Sequence, residues 1–259
     1  TVTDHKKNPQ ENKNIIVKGD LSQTAKGKTD QDGKLTVPEI EERERHGAYI
    51  LGYTDGTFGP SRSMTRAEAA AIFARLLAEK NGDTISTAAN TRFTDIPAHA
   101  WYSGYAKYLN NNGVTYGKSK TIFAPNDAIT RAEFTTMAVR FFDVYGDGDA
   151  EIMEQYKDFN DVSDGYWAAE YIKYAALHGW INGYGDGSFH ADREINRAEV
   201  VTIVNRLLGR EADEDYIADN LHKLNTFPDV SRKHWAYYAV MEAANAHTAV
   251  LGESESWSK

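Results

Sequence analysis

One short string occurs three times in this sequence at nearly even spacing, and that periodicity restricts the fold more than any other feature. Thr65-Arg66-Ala67-Glu68, Thr130-Arg131-Ala132-Glu133 and Asn196-Arg197-Ala198-Glu199 lie 65 and 66 residues apart. Self-similarity at a fixed period marks a chain assembled from one supersecondary unit. A Thr or Asn three residues ahead of a Glu, just before an apolar run, is a capping box. The first side chain accepts from a free N–H of the opening turn, and the Glu reaches back to the cap's own N–H. The runs that follow share a register. Ala69, Ile72, Phe73, Leu76 and Leu77 match Phe134, Met137, Ala138, Phe141 and Phe142, and then Val200, Ile203, Val204, Leu207 and Leu208. This i, i+3, i+4, i+7, i+8 spacing predicts three amphipathic helices, each burying one face.

Two more segments complete the unit. A glycine-opened turn precedes each box: GYTDGTF from Gly52, GKSKTIF from Gly117 and GYGDGSF from Gly183. The phenylalanines Phe58, Phe123 and Phe189 each stand seven residues before the cap. Further upstream lie FTDIPAHAWY at Phe93, FNDVSDGYWA at Phe159 and FPDVSRKHWA at Phe227, in which Asp follows Phe by two residues and Trp by eight. The first turn has no such segment ahead of it, and the last such segment has no turn after it. The two halves are complementary, so the C-terminal half is expected to close onto the N-terminal half as a pseudo-threefold body, with the stretch from Trp235 to Ala246 against the helix after Thr65.

The capping box leaves its arginine unexplained. The first helical position lies at the positive end of the helix dipole, where a cation is mildly unfavourable. Arg66, Arg131 and Arg197 all occupy it. Two readings stand: the guanidinium and the free N–H groups of the helix end hold an anion, or the arginine pairs within the chain, for instance with a loop aspartate. Arg75, Arg140 and Arg206 recur ten residues after each cap. At about 100° per residue they fall on the opposite side of their helix from the first set. They read as structural cations near a helix C-terminus, unable to share a ligand with the box arginine. Trp101, Trp167 and Trp235 open helices and read as core wedges. Asp95, Asp161 and Asp229 are expected to cap those helices or to accept from backbone donors. Gly52, Gly56, Gly183 and Gly187 are expected to supply left-handed turn conformations. The second turn lacks the Asp-Gly pair, so its loop is expected to differ.

Composition excludes several functions. Cysteine is absent, which removes disulfides, zinc-thiolate sites and thiol catalysis. A net charge of −9 argues against nonspecific binding to nucleic acid or anionic membranes. The apolar runs are too short for a membrane span. The histidines show no metal-ligand spacing, and neither a nucleophile elbow nor a phosphate-binding glycine loop occurs. The stretch from Lys28 to Glu39 approaches a calcium-loop register but puts Lys at its first ligand position. No catalytic constellation, metal site or cofactor is expected. The sequence opens at Thr1 without methionine or a signal segment and reads as a processed piece of a parent protein.

The unit Phe-x-Asp-Val…Trp-Ala…Gly-Tyr-x-Asp-Gly-[Thr/Ser]-Phe…Thr-Arg-Ala-Glu resembles the S-layer homology (SLH) module, over roughly residues 40–252. That resemblance implies a mainly α fold: three modules forming a three-pronged, pseudo-threefold spindle around a central three-helix bundle, with long loops between helices. It implies a non-enzymatic partner role at the cell surface, outside the cell. There such modules anchor S-layer proteins and surface enzymes to secondary cell-wall polysaccharide, often carrying pyruvate ketals, taken into grooves between prongs. Carried over, it places Arg66, Arg131 and Arg197 against the acidic sugar substituent. Asp55, Gly56, Asp186 and Gly187 of the turns, with Trp101, Trp167 and Trp235, then hold the saccharide. No nucleic acid, membrane insertion or cofactor is implied, and the fragment is expected to be a monomer. The expected division is 1–38 polar linker or tail of a preceding domain, 39–89 first module, 90–154 second, 155–221 third, and 222–259 a half module completing the first. The alternative reading is a degenerate structural or protein-interaction spacer that has lost sugar binding.

Overall fold

The computed structural model describes residues 14–18, 24–29, 35–36, 42–86, 88–146, 158–251 and 256–258. Three helices start at the capping boxes: α1 (Arg66–Asn81), α3 (Arg131–Tyr145) and α5 (Arg197–Leu208). In each, the Thr or Asn side chain accepts from the backbone of the Glu three residues on, and that Glu accepts from the cap backbone. The apolar stripes are buried as their spacing predicts, with Phe73, Phe134 and Val200 fully enclosed. Between them lie α2 (Ser103–Asn111) and α4 (Ala169–Leu177). After α5 come α6 (Glu214–Asn220), a 3-10 turn at Leu221–Lys223, and α7 (Tyr237–Ala244). The fold is mainly α.

Two small antiparallel sheets accompany the helices. One joins β1 (Asn14–Lys18), β2 (Thr24–Thr29) and β3 (Leu35–Thr36) in that order. It occupies part of the stretch expected to be a polar linker, and the apolar run Ile15-Ile16-Val17 is the middle of its first strand. The other joins β4 (Glu42–His46), β5 (His247–Leu251) and β6 (Ser256–Ser258), with Glu42 opposite Leu251 and His46 opposite His247. Most of the calcium-like stretch 28–39 and the acidic segment after Tyr145 lie outside the described residues.

The three box loops meet in a closed ring of backbone hydrogen bonds. Met64 N–H donates to Ile195, Ile195 N–H to Ile129, and Ile129 N–H back to Met64, at 2.9–3.0 Å. All three side chains are fully buried. α1 packs on α3, and α3 on α5.

Each turn receives its Phe-x-Asp segment in the same way. Asp95 accepts from Phe123 and Ala124 N–H, Asp161 from Phe189 and His190, and Asp229 from Phe58 and Gly59. The paired Phe rings lie 5.2–5.3 Å apart in every copy. So the aspartates serve the turns, not the helices after the tryptophans, where no side-chain cap forms. The C-terminal segment reaches the first turn through Phe227 and Asp229, and Tyr49 N–H donates to Ala243. The helix after Trp235 goes elsewhere: α7 packs on α5, as α2 packs on α1 and α4 on α3. The expectation that this stretch would lie on the helix after Thr65 is therefore corrected. Each Trp helix covers the box helix that precedes it in sequence.

Close approach, rather than a left-handed backbone, fixes Gly52 and Gly183. A Cβ there would come within 2.5–2.6 Å of the Phe227 or Phe159 ring. Gly56 and Gly187 do take the expected left-handed conformation, at φ +83° and +81°.

Candidate functional site

The box arginines are the most buried cations of the repeat: Arg66, Arg131 and Arg197 are each only 4% exposed. Their Nε–H groups donate to Phe123, Phe189 and Phe58 carbonyls of the next turn along the ring, at 2.7–2.9 Å. Each guanidinium also lies over the ring of that phenylalanine. Arg66 meets the Glu133 carboxylate at 3.3 Å, and Arg131 meets Glu199 at 3.2 Å. Arg197 instead donates to the Leu51 carbonyl at 2.7 Å. Burial pushes all three guanidinium groups below the ordinary arginine value, and neighbouring acidic groups offset part of that shift. They remain cations at neutral pH.

The helix ends beside them are not open donors. Arg66, Arg131 and Arg197 N–H donate to Asp127, Arg193 and Arg62 carbonyls, and the following alanines to Pro125, Ala191 and Pro60. The third N–H goes to the cap side chain. The expectation that free helix-end N–H groups would hold an anion is corrected: the adjacent loops already use them.

Two cavities lie against these arginines. The first, about 500 Å³, is lined by Arg66, Tyr116, Lys118, Glu133, Arg140 and Trp167, among others. The second, about 240 Å³, is lined by Arg131, Gly183, Tyr184, Glu199, Arg206 and Trp235, among others. The sets correspond in a box arginine and carboxylate, an arginine from the end of the next box helix, and a tryptophan; each adds a tyrosine, Tyr116 just ahead of its turn and Tyr184 within its own. In the first, three cations face one carboxylate. Positive charge is thus concentrated locally in a protein of net charge −9, within less than a Debye length of a docked anion.

Arg140 and Arg206, read from the sequence as structural, also line the two cavities. Within one helix they do face away from the box arginine, but the ring brings each against the box arginine of the preceding repeat. Arg140 stacks on Tyr116 and Tyr171. Arg75, the remaining member, rests on Tyr105. The recurrence at a fixed offset was the signal; only the cross-repeat contact gives it meaning.

The tryptophans are not core wedges. Trp101, Trp167 and Trp235 are 53%, 57% and 65% exposed, and the latter two border the cavities. Asp55 and Asp186 turn inward on their own loops, accepting from Thr57 and Ser188 backbone and hydroxyl groups. Those bonds hold both carboxyls below the usual carboxylate value. Asp186 and Gly187 are not among the cavity-lining residues, which include Gly183 and Tyr184 instead. The second turn, expected to differ, keeps the same closing bond: Lys118 N–H to Ile122, as Tyr53 to Thr57 and Tyr184 to Ser188. Ser119 Oγ there accepts from Thr121 and Ile122 N–H, in the role of the missing aspartate.

Comparison with known proteins agrees with the repeat. The sequence model of the S-layer homology domain matches residues 36–70, 92–135 and 158–201. Cell surface glycoprotein 1 of Acetivibrio thermocellus is 34% identical over 218 residues, covering 81% of this chain and 9% of that protein. The cellulosome-anchoring protein of the same organism is 31% identical over 229 residues, covering 88% of this chain and 48% of the other. The surface-layer 125 kDa protein of Lysinibacillus sphaericus is 32% identical over 163 residues, covering 61% of this chain and 13% of that protein. The chain thus spans less than half the length of each of these relatives.

Proposed function

Because this chain belongs to the S-layer homology family, with three of its domains in tandem, we propose that it fastens a larger protein to the bacterial cell wall by gripping an acidic polysaccharide in its two arginine-lined cavities. The observation that carries this reading is the repetition of one lining set at two sites. Each combines two guanidinium groups from consecutive box helices with an exposed tryptophan. The relatives named for the cell surface, for anchoring and for the surface layer support the location outside the cell, at the wall or S-layer.

The binding involves no catalytic step. Arg66 and Arg131 form the cavity floors, prepositioned by the carbonyls of Phe123 and Phe189. Arg140 and Arg206, from the walls, supply the more accessible charge. A carboxylate substituent on a sugar would take charge-assisted hydrogen bonds from the pair, and Trp167 or Trp235 would cover an apolar sugar face. Two weak sites on one polymer add through effective concentration. Arg197, Trp101, Asp55 and Gly56 belong to the third junction of the ring, and their contact with saccharide is part of the same proposal. So is the division into modules at 39–89, 90–154 and 155–221, with 222–259 completing the first.

Calorimetry with pyruvylated and unmodified wall saccharides tests the reading. Arg140→Ala and Trp167→Ala should each weaken binding of the acidic sugar by about 10–100-fold, equivalent to ~1.5–3 kcal/mol, while Arg75→Ala changes it little. Equal losses in all three variants, or equal affinity for both sugars, would refute it. The internal pairing of Arg66, Arg131 and Arg197 favours a second reading, a spacer without sugar binding. A spacer stays in solution when mixed with purified cell-wall sacculi, whereas an anchor sediments with them.

A further inference from the structure

We propose that His46, Glu242 and His247 form a site for one divalent transition-metal ion, zinc being the best match, which clamps β4 to α7 and β5. No spacing in the sequence links these residues, and against the sequence expectation of no metal site the fold brings them together from three elements. All three are buried, at 3%, 1% and 7% exposure. His46 Nδ1 lies 3.6 Å from one Glu242 oxygen and His247 Nε2 lies 3.4 Å from the other. One ligand atom from each residue falls within 4.8 Å of the others.

These distances are longer than the 2.7–2.9 Å typical of a charge-assisted N–H···O bond. They match the spacing of about 3.4 Å between two ligands each roughly 2.1 Å from a tetrahedral zinc. An imidazole–carboxylate set suits zinc better than calcium or magnesium.

The surroundings orient the donors as an outer shell does. His247 Nδ1 faces the Asn245 carbonyl at 3.0 Å. A carbonyl only accepts, so Nδ1 carries a proton, and Nε2, on the Glu242 side, is the atom that would ligate the ion. Asn245 is itself held by the Met241 carbonyl and by Asn225. The Trp257 ring stacks on His247 at 3.8 Å and fixes its plane. On the far side of His46, Nε2 faces the Glu44 carboxylate at 3.8 Å. The inference is independent of saccharide binding.

The test uses the full chain, stripped with chelator and titrated with zinc chloride. About one equivalent should bind. At a hundredfold excess over the dissociation constant, Tm should rise by roughly 5–10 °C. His247→Ala and Glu242→Gln should lose both effects, with circular dichroism reporting whether each variant folds. A readout on the unaltered chain covers the case in which they do not: cobalt chloride should give the visible absorption of a four-coordinate ion, which zinc then displaces. Absence of stoichiometric zinc and of the cobalt band in the folded chain overturns the proposal. So does zinc binding that survives in the folded variants.

Discussion

The junctions built on Arg66 and Arg131 differ from the one built on Arg197. All three share a backbone frame, with the same loop carbonyls, the same Phe–Phe contact and the same aspartate bridging two turn N–H groups. In the first two, a carboxylate from the next box helix meets the buried guanidinium; in the third, two carbonyls do. The third is also where the chain's two halves meet, with Phe58 from one and Asp229 from the other. The backbone frame therefore specifies the ring, and the ion pair is an addition that two junctions carry.

The strongest challenge to that contrast is Asp229→Ala, which removes the acceptor of two backbone donors where the halves join. It should cost about 3–5 kcal/mol. Chemical denaturation would show whether Asp95→Ala costs as much; an equal loss means that closing the ring adds nothing special. Next in size, Glu133→Gln or Glu199→Gln should cost about 2–4 kcal/mol by leaving a buried guanidinium without its partner. Glu68→Gln, which mainly weakens a cap, should cost about 1 kcal/mol. Equal values would erase the difference between junctions. Acid titration gives a smaller effect. Burial pushes the Asp161 carboxyl up, but the Phe189 and His190 N–H groups more than offset this and hold it below its ordinary value. Its stabilisation is complete above the unfolded carboxyl value and is lost as pH falls through the lower folded one. The gap between the unaltered chain and Asp161→Asn should therefore close below about pH 4.

The smallest effect concerns the residue after each turn phenylalanine, which is left-handed in every copy: Gly59 at φ +69°, Ala124 at +57° and His190 at +54°. Ala124→Gly should stabilise by roughly 0.5–1 kcal/mol, and Gly59→Ala should destabilise by about 1 kcal/mol or more. Thermal melts of the pair check the opposite signs.

Much of this frame is legible in the sequence because it is local. Caps, apolar stripes and left-handed glycines at Gly56 and Gly187 follow from residues within a few positions of one another. The site is less legible because its parts come from different repeats. Reading Arg140 within its own helix turned it away from the box arginine, yet it faces Arg66 of the repeat before. Trp167 looks like a core residue at a helix start, but α4 buries Ile172 and Ala175 on α3 and leaves the indole outside. The helix-end N–H groups looked free because their acceptors lie about sixty residues downstream, or, for Arg197, at the other end of the ring.

The cyclic bonding of Met64, Ile129 and Ile195 also separates this molecule from linear repeat arrays, whose stability adds unit by unit and which fold from any point. Here the last bonds join residues 171 and 170 positions apart, so the loop-closure entropy falls due only when the final repeat has been made. Until then the Phe58 and Gly59 N–H groups of the first turn lack the Asp229 carboxylate that accepts from them. High contact order slows folding, and no one or two repeats cut from the chain would hold together: the unit of cooperativity is the whole circle.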